Sequence, residues 1–329
     1  MQVLNLVTSP DAEFYRLQVR ALERQGIDET TLGVPGEQRF TDDGVDDRSV
    51  LDYLRYYPQV LRESFDSYDL VHANYGLTAP AAIGQPNLPV VLTLWGTDLM
   101  GKYGRLGRLC ARRADAVIVM SERMAETLPI DCHVIPHGVD LEQFRPFPQR
   151  PAREAIGWRH DASHVLFPYP EQRPVKDYPR AERVVEAARE RYGGDIDLQT
   201  LYGVPHERMP LYMNAADALL LTSRREGSPN SVKEAMACDL PVVATDVGDV
   251  RTRLAGVDGS HVCRADGELV DGLVDVLERG EPSTGREAIA PLGLEQMGER
   301  IRAVYESVLD TRAEPQTGAA PTRNPVSSR

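Results

Sequence analysis

The segment ALLLTSRREGSPNSVKEAMACDLPVVATDVGD, Ala218 to Asp249, constrains the fold of this chain more than any other stretch. Ala218–Leu221 is apolar throughout, stands between polar breakers and is too short for a surface helix. A loop of Gly, Ser, Pro and Asn follows, then Val232, Ala235 and Met236 at helical spacing, then the apolar run Pro241–Thr245. Apolar run, amphipathic helix, apolar run describes a βαβ unit, and strands apolar on both faces belong inside a parallel sheet. Ligands of such sheets sit outside the carboxyl ends of the strands, which here is the loop Ser223–Ser231.

That loop carries Glu226, with Gly227 next to it, while Glu234 lies inside the following helix. Ser228 is placed to cap the helix, with Pro229 at its first position. The free N–H groups and positive dipole end of the helix suit a diphosphate. Gly227 removes a Cβ where a ligand would approach the backbone. The same residues taken alone also describe a surface loop with two solvated glutamates.

The run EGSPNSVKEAMACDLPVVATDVGD resembles the donor-site segment of retaining glycosyltransferases of the GT4 family, which have the GT-B fold. In that family a glutamate, an intervening heptapeptide and a second glutamate mark the nucleotide-sugar site. The resemblance extends from Asp69 to Arg253 and is densest after Leu201. It implies an α/β architecture of two Rossmann-like parallel-sheet domains facing each other across a cleft. Residues 1–145 would form an acceptor-side domain and 146–292 the donor domain. Residues 293–312 would cross back as a helix, leaving 313–329 as a disordered tail.

Site roles follow from the resemblance residue by residue. Glu226 would hold the sugar hydroxyls and Glu234 the donor ribose, with Gly227, Ser228, Asn230 and Ser231 around sugar and diphosphate. Gly203 and Val204 would lie near the nucleobase. Arg173 and Lys176, in the loop Tyr169–Asp177, would stabilise the departing diphosphate, where fixed cations act most strongly on developing charge. His72 and Asp98 are candidates for the acceptor or sugar side, although His72 fits a buried structural histidine equally well. Three departures stand out: Thr8–Ser9–Pro10–Asp11 replaces the family's glycine-rich turn, Trp95 replaces a histidine, and Arg173 is displaced toward Lys176. Pro136–His137–Gly138–Val139–Asp140 matches the turn that closes the first domain.

The formal charge of −13 argues against general nucleic-acid binding. Lys102, Lys176 and Lys233 are the only lysines among 37 basic residues, and each falls near a segment with a proposed role. Lys102 opens a basic stretch ending at Arg113, in which Arg105, Arg108 and Arg112 share a helical face. That face suits an anionic acceptor, acidic lipid headgroups or plain solvent. Cys110, Cys132, Cys238 and Cys263 are scattered, as reduced thiols are. Neither a membrane span nor a signal peptide is read, so the expected location is cytoplasmic, with peripheral membrane contact through Lys102–Arg113.

The expected activity is hexosyl transfer from a nucleoside-diphosphate sugar to a glycan or lipid-linked acceptor, retaining in stereochemistry. No cofactor and no metal are expected. A sugar-nucleotide epimerase on the same scaffold and a non-catalytic sugar-nucleotide-binding relative are the alternatives.

Overall fold

The computed structural model describes residues 1–36, 39–41, 44–46, 48–101 and 103–313. Lys102 and the tail beyond residue 313 lie outside the described residues. Two parallel sheets carry the chain. The first has the order β2-β1-β5-β6-β7-β8, formed by β1 (Gln2–Val7), β2 (Asp28–Gly33), β5 (Leu70–Ala73), β6 (Val90–Leu94), β7 (Ala116–Val119) and β8 (His133–Val134). A separate hairpin pairs β3 (Arg39–Thr41) with β4 (Gly44–Asp46). The second sheet has the order β10-β9-β11-β12-β13, formed by β9 (Ser163–Phe167), β10 (Ile196–Thr200), β11 (Ala218–Leu221), β12 (Val242–Thr245) and β13 (His261–Cys263).

Each sheet reverses its winding once, between β1 and β5 in the first and between β9 and β11 in the second. Crevices outside the strand ends open at such points. The unbroken apolarity of β11 has its reason in the packing: Leu219 and Leu221 enter one core layer of the second domain, Ala218 and Leu220 the other. The polar β2 was not foreseen. Its sequence DETTLG lies at a sheet edge with most side chains reaching water, so burial leaves no apolar pattern to read. The hairpin falls within residues 33–48, a stretch that is polar and turn-rich and reads from sequence as a surface loop.

After Leu292 the chain returns to the first domain. Helix Leu294–Ala313 buries Leu294, Met297, Ile301, Val304, Tyr305 and Val308 in the first-domain core, a helical stripe of apolar positions. It passes close over helix Glu13–Arg24, where a Cβ on Gly298 would stand 2.8 Å from the Ala21 carbonyl oxygen. The crossover is stitched at Val139, whose N–H donates to Leu292 O and whose carbonyl accepts from Leu294 N–H.

The crossing helix also settles His72. Its ring is fully buried, with Nδ1 2.6 Å from the Tyr305 hydroxyl and Nε2 2.7 Å from Thr93 Oγ1. Burial drives its pKa down to about 3. It is a satisfied core histidine that ties β5 to the crossing helix, and it does not face the cleft. Tyr305→Phe should therefore leave one imidazole nitrogen unpaired and cost about 1–3 kcal/mol. The check is a lowered urea midpoint at unchanged slope; an unchanged midpoint would show that this bond does not hold the helix.

Candidate active site

The second sheet's crevice is lined by the loops after β9 and β11. After Phe167 the chain runs through Tyr169 to Asp177, which adopts a left-handed φ of 55° at the start of the next helix. This turn buries Lys176 to 5% exposure. The ammonium stands 2.6 Å from Glu226 Oε1 and 3.6 Å above the Tyr169 ring centroid. Burial lowers the lysine pKa, and the Glu226 charge opposes that shift without cancelling it. Tyr169 in turn shares a short hydroxyl–hydroxyl bond with Ser231 on helix Asn230–Ala237. Arg173 is exposed on the same turn, close enough for its charge to be felt at Lys176 and Tyr169.

Helix Asn230–Ala237 begins one residue later than expected, with Pro229 at the cap position. Ser228 does not cap it; its hydroxyl donates to Asp249 Oδ2 at 2.8 Å. Proline caps without a side-chain acceptor, so the first N–H groups of the helix keep no side-chain partner at the cap. Glu234 lies one turn into this helix and receives His206 Nε2 at 2.9 Å. Gly203 and Val204 lead into His206 through a left-handed φ of 66° at Gly203.

The first domain meets this wall at Trp95 and Gly96. A Cβ on Gly227 would stand 2.7 Å from the Trp95 carbonyl oxygen, so the loop after β11 and the loop after β6 touch backbone to backbone. Asp98 makes that approach rigid. Its buried carboxylate accepts N–H groups from Trp95, Gly96 and Gly76 at 2.8–2.9 Å. Asp98 is thus a backbone clamp with no face toward an acceptor, correcting the expectation from sequence. Arg108 is likewise turned inward, donating to the Leu99 carbonyl at 3.1 Å, whereas Arg105 is exposed. The Trp95 indole N–H is held by the Asn74 carbonyl, and its ring lies 4.5 Å from Phe14 and 5.6 Å from His137.

A cavity of about 190 Å³ lies between the domains beside these groups, lined among others by Glu13, Phe14, His137, His206, Asn230 and Glu234. His137 Nε2 bonds the Phe14 carbonyl at 2.7 Å. Lys233, 1% exposed, crosses from helix Asn230–Ala237 to the His137 carbonyl at 2.6 Å. Burial lowers its pKa to about 8. Glu13, His137 and His206 had no role assigned from sequence. Their only signal was position: His137 and His206 stand in turns that the family resemblance marks.

The two facing parallel-sheet domains, with paired acids and cations at the crevice, define a GT-B glycosyltransferase. Residues 11–143 match the family model described as Glycosyltransferase Family 4, and residues 177–279 match Glycosyl transferases group 1. The chain belongs to this GT4-type family of glycosyltransferases. It is similar to D-inositol 3-phosphate glycosyltransferase 1 of Catenulispora acidiphila, with 29% identity over 74% of this chain and 73% of that one. The lipopolysaccharide core biosynthesis mannosyltransferase LpsB of Rhizobium meliloti is 28% identical over 60% of this chain and 67% of its own. Among solved structures, sucrose-phosphate synthase from Thermosynechococcus elongatus superposes with a TM-score of 0.73 at 18% identity, covering 94% of this chain and all of that one. Anabaena HepE in complex with UDP-glucose gives 0.64 at 16%, over 93% of this chain. At these identities the structures show the shared fold.

The Gly227 contact is testable. Gly227→Ala should push the Trp95 loop away and open the cleft, seen as a larger radius of gyration in solution scattering and a transfer rate lower by about tenfold or more. Unchanged scattering and rate would mean that the two loops do not need this approach.

Proposed function

We propose that this glycosyltransferase is retaining and uses a nucleoside-diphosphate sugar, moving a hexosyl group to an acceptor hydroxyl in glycan synthesis. The observation that carries this reading is the buried Lys176–Glu226 pair at the second sheet's crevice, next to the helix start at Asn230. Lys176 and Arg173, with the uncapped N–H groups of that helix, would receive the diphosphate. The donor then competes with Glu226 for the lysine, freeing the carboxylate to accept sugar hydroxyls. Glu234 would take the ribose across the cavity, with Gly203 and Val204 toward the base.

The glycosidic bond to the diphosphate breaks with its electron pair going to the phosphate oxygen. The acceptor oxygen bonds to the same face of the sugar, and its proton passes to the departing phosphate. Lys176 and Arg173 stabilise the charge that develops, a contribution worth about 10²–10³ in rate per group. No side chain is assigned as a covalent nucleophile, and no metal is assigned to a step. Relatives named as transferases, and a fold neighbour solved with UDP-glucose, support the reading.

Removing one member of the Lys176–Glu226 pair leaves an uncompensated buried charge, at a cost of about 3–5 kcal/mol. The test therefore pairs Lys176→Met with Glu226→Gln, alone and together. The double variant should fold with near-native stability while transfer falls by about 10³. Glu234→Ala should abolish the rise in melting temperature caused by the cognate nucleoside diphosphate. Product anomeric configuration by NMR decides retention, and activity in excess chelator decides metal independence. Near-native turnover in the double variant would reject the site.

We also propose an acidic-lipid contact on the first domain. Among the described residues no helix is long and apolar enough to cross a membrane. The exposed large hydrophobics Val50, Leu51, Leu54 and Phe65 lie on or just after helix Val50–Glu63. Leu109 stands exposed among Arg105, Arg112 and Arg113 on helix Gly104–Ala111 and its end, while Lys102 lies outside the described residues. Flotation with phosphatidylglycerol vesicles should carry the protein at low salt, and Leu54→Asp with Leu109→Asp should release it. No flotation by the wild type would reject the contact.

A further inference from the structure

Among the described residues, His206 is the titratable side chain of the cavity placed between Glu13 of the first domain and Glu234 of the second. It sits at the start of a short turn, His206–Arg208, following Pro205. Its carbonyl is held by the Gln143 side-chain amide at 3.0 Å, and its ring lies 5.2 Å from Phe144. These contacts fix the imidazole so that Nε2 meets Glu234 Oε1 at 2.9 Å, while Nδ1 lies 3.5 Å from the Gln143 amide nitrogen and, at ion-pair separation, 3.8 Å from Glu13 Oε1. Glu234 belongs to the donor helix, Glu13 to the first helix of the other domain.

We propose that His206 is a positioning residue for donor binding: as an imidazolium it orients the Glu234 carboxylate and, through Glu13, holds the first domain against the donor pocket. The proposal rests on the reading of Glu234 as the donor's ribose ligand. A neutral imidazole has a single N–H and can serve one carboxylate, leaving a lone pair toward the other. Only the protonated ring presents an N–H to each acid, so both links exist together only in that form.

The surroundings favour that form. Glu13 faces the ring from the first helix, Glu234 and Lys233 from the donor helix, His137 and Asp140 from the turn between the domains, and Glu207 from its own turn. Lys233 is pinned to the His137 carbonyl, and burial holds His137 neutral with its pKa down to about 3. Burial of His206 lowers its own pKa, but the hydrogen bond and charge of Glu234, with Glu13 and Glu207 behind them, outweigh it and the net shift is upward. The sign follows from that shift. The imidazolium links are complete below the ordinary histidine pKa and are lost as pH rises through the raised value. Donor affinity should fall over the same range.

The experiment measures binding of UDP-glucose and GDP-mannose to the full chain by calorimetry, together with KM and kcat for whichever is turned over, between about pH 6.5 and pH 9. The diphosphates of both probes carry no titrating proton in that range. Wild-type Kd should rise about tenfold across it, with kcat following a separate profile. His206→Gln keeps an N–H for Glu234 but cannot serve Glu13 as well and does not titrate, so its Kd should lie within about threefold of the high-pH wild type and become independent of pH. His206→Leu should raise KM about tenfold at neutral pH and leave kcat within about twofold. Glu13→Gln should flatten the wild-type profile. A pH limb that survives in His206→Gln belongs to another group, Lys233 first, and overturns the proposal. So does a His206→Leu variant that loses thermal stability but keeps wild-type KM. If the wild type binds neither sugar nucleotide at any pH, the donor reading itself fails and takes this assignment with it; a wild-type Kd that is measurable but flat removes this assignment alone.

Discussion

Lys176 and Glu226 form an ion pair 2.6 Å apart, the lysine buried and the glutamate half-buried. Neither can be in that position without its counterpart, because an unpaired buried charge costs several kcal/mol. The pair also fixes what the crevice can accept. A ligand that separated the pair would have to offer negative charge to the lysine and hydrogen-bond donors to the glutamate. A phosphate joined to a hydroxyl-rich sugar supplies both, which is why the proposed donor satisfies this pair better than a simple anion or a neutral sugar.

Around that pair the domains meet by backbone more than by side chain. Gly227 touches the Trp95 carbonyl, Lys233 reaches the His137 carbonyl, and Arg225 donates to the Met100 carbonyl at 3.0 Å. Contacts to main-chain oxygens hold position while leaving side chains free for a ligand. The backbone clamp of Asp98 serves the same end one step back, presenting the Trp95–Gly96 turn in a single geometry. Trp95 packs with Phe14 and His137, forming an aromatic wall where the domains meet.

The residues legible from sequence share one property: their chemistry depends on neighbours close in the chain. The βαβ unit, the loop with Glu226 and Gly227, and Glu234 one turn into the helix were all readable from local pattern and spacing. His72 was left open between two readings and Asp98 was set on the acceptor side, because a strand-end polar residue looks the same whether it faces a cleft or is satisfied inside. What distinguishes them is a partner far along the chain, Tyr305 for His72 and Gly76 for Asp98. The polar strand β2 escaped for the opposite reason, since an edge strand whose side chains reach water carries no burial signal.

By itself the sequence determined the fold class, the βαβ unit and the loop at its strand end that carries Glu226 and Gly227. Helical and strand periodicities record burial, and the turn chemistry records local backbone geometry, so both survive in a one-dimensional string. Only the tertiary structure decided that Glu13 and His206 face each other, that Lys233 bridges to the other domain and that His137 is held neutral. Those relations join residues separated by up to 193 positions. Charge and hydrogen bonding act through space, and nothing in chain order encodes which distant acid will stand beside which imidazole.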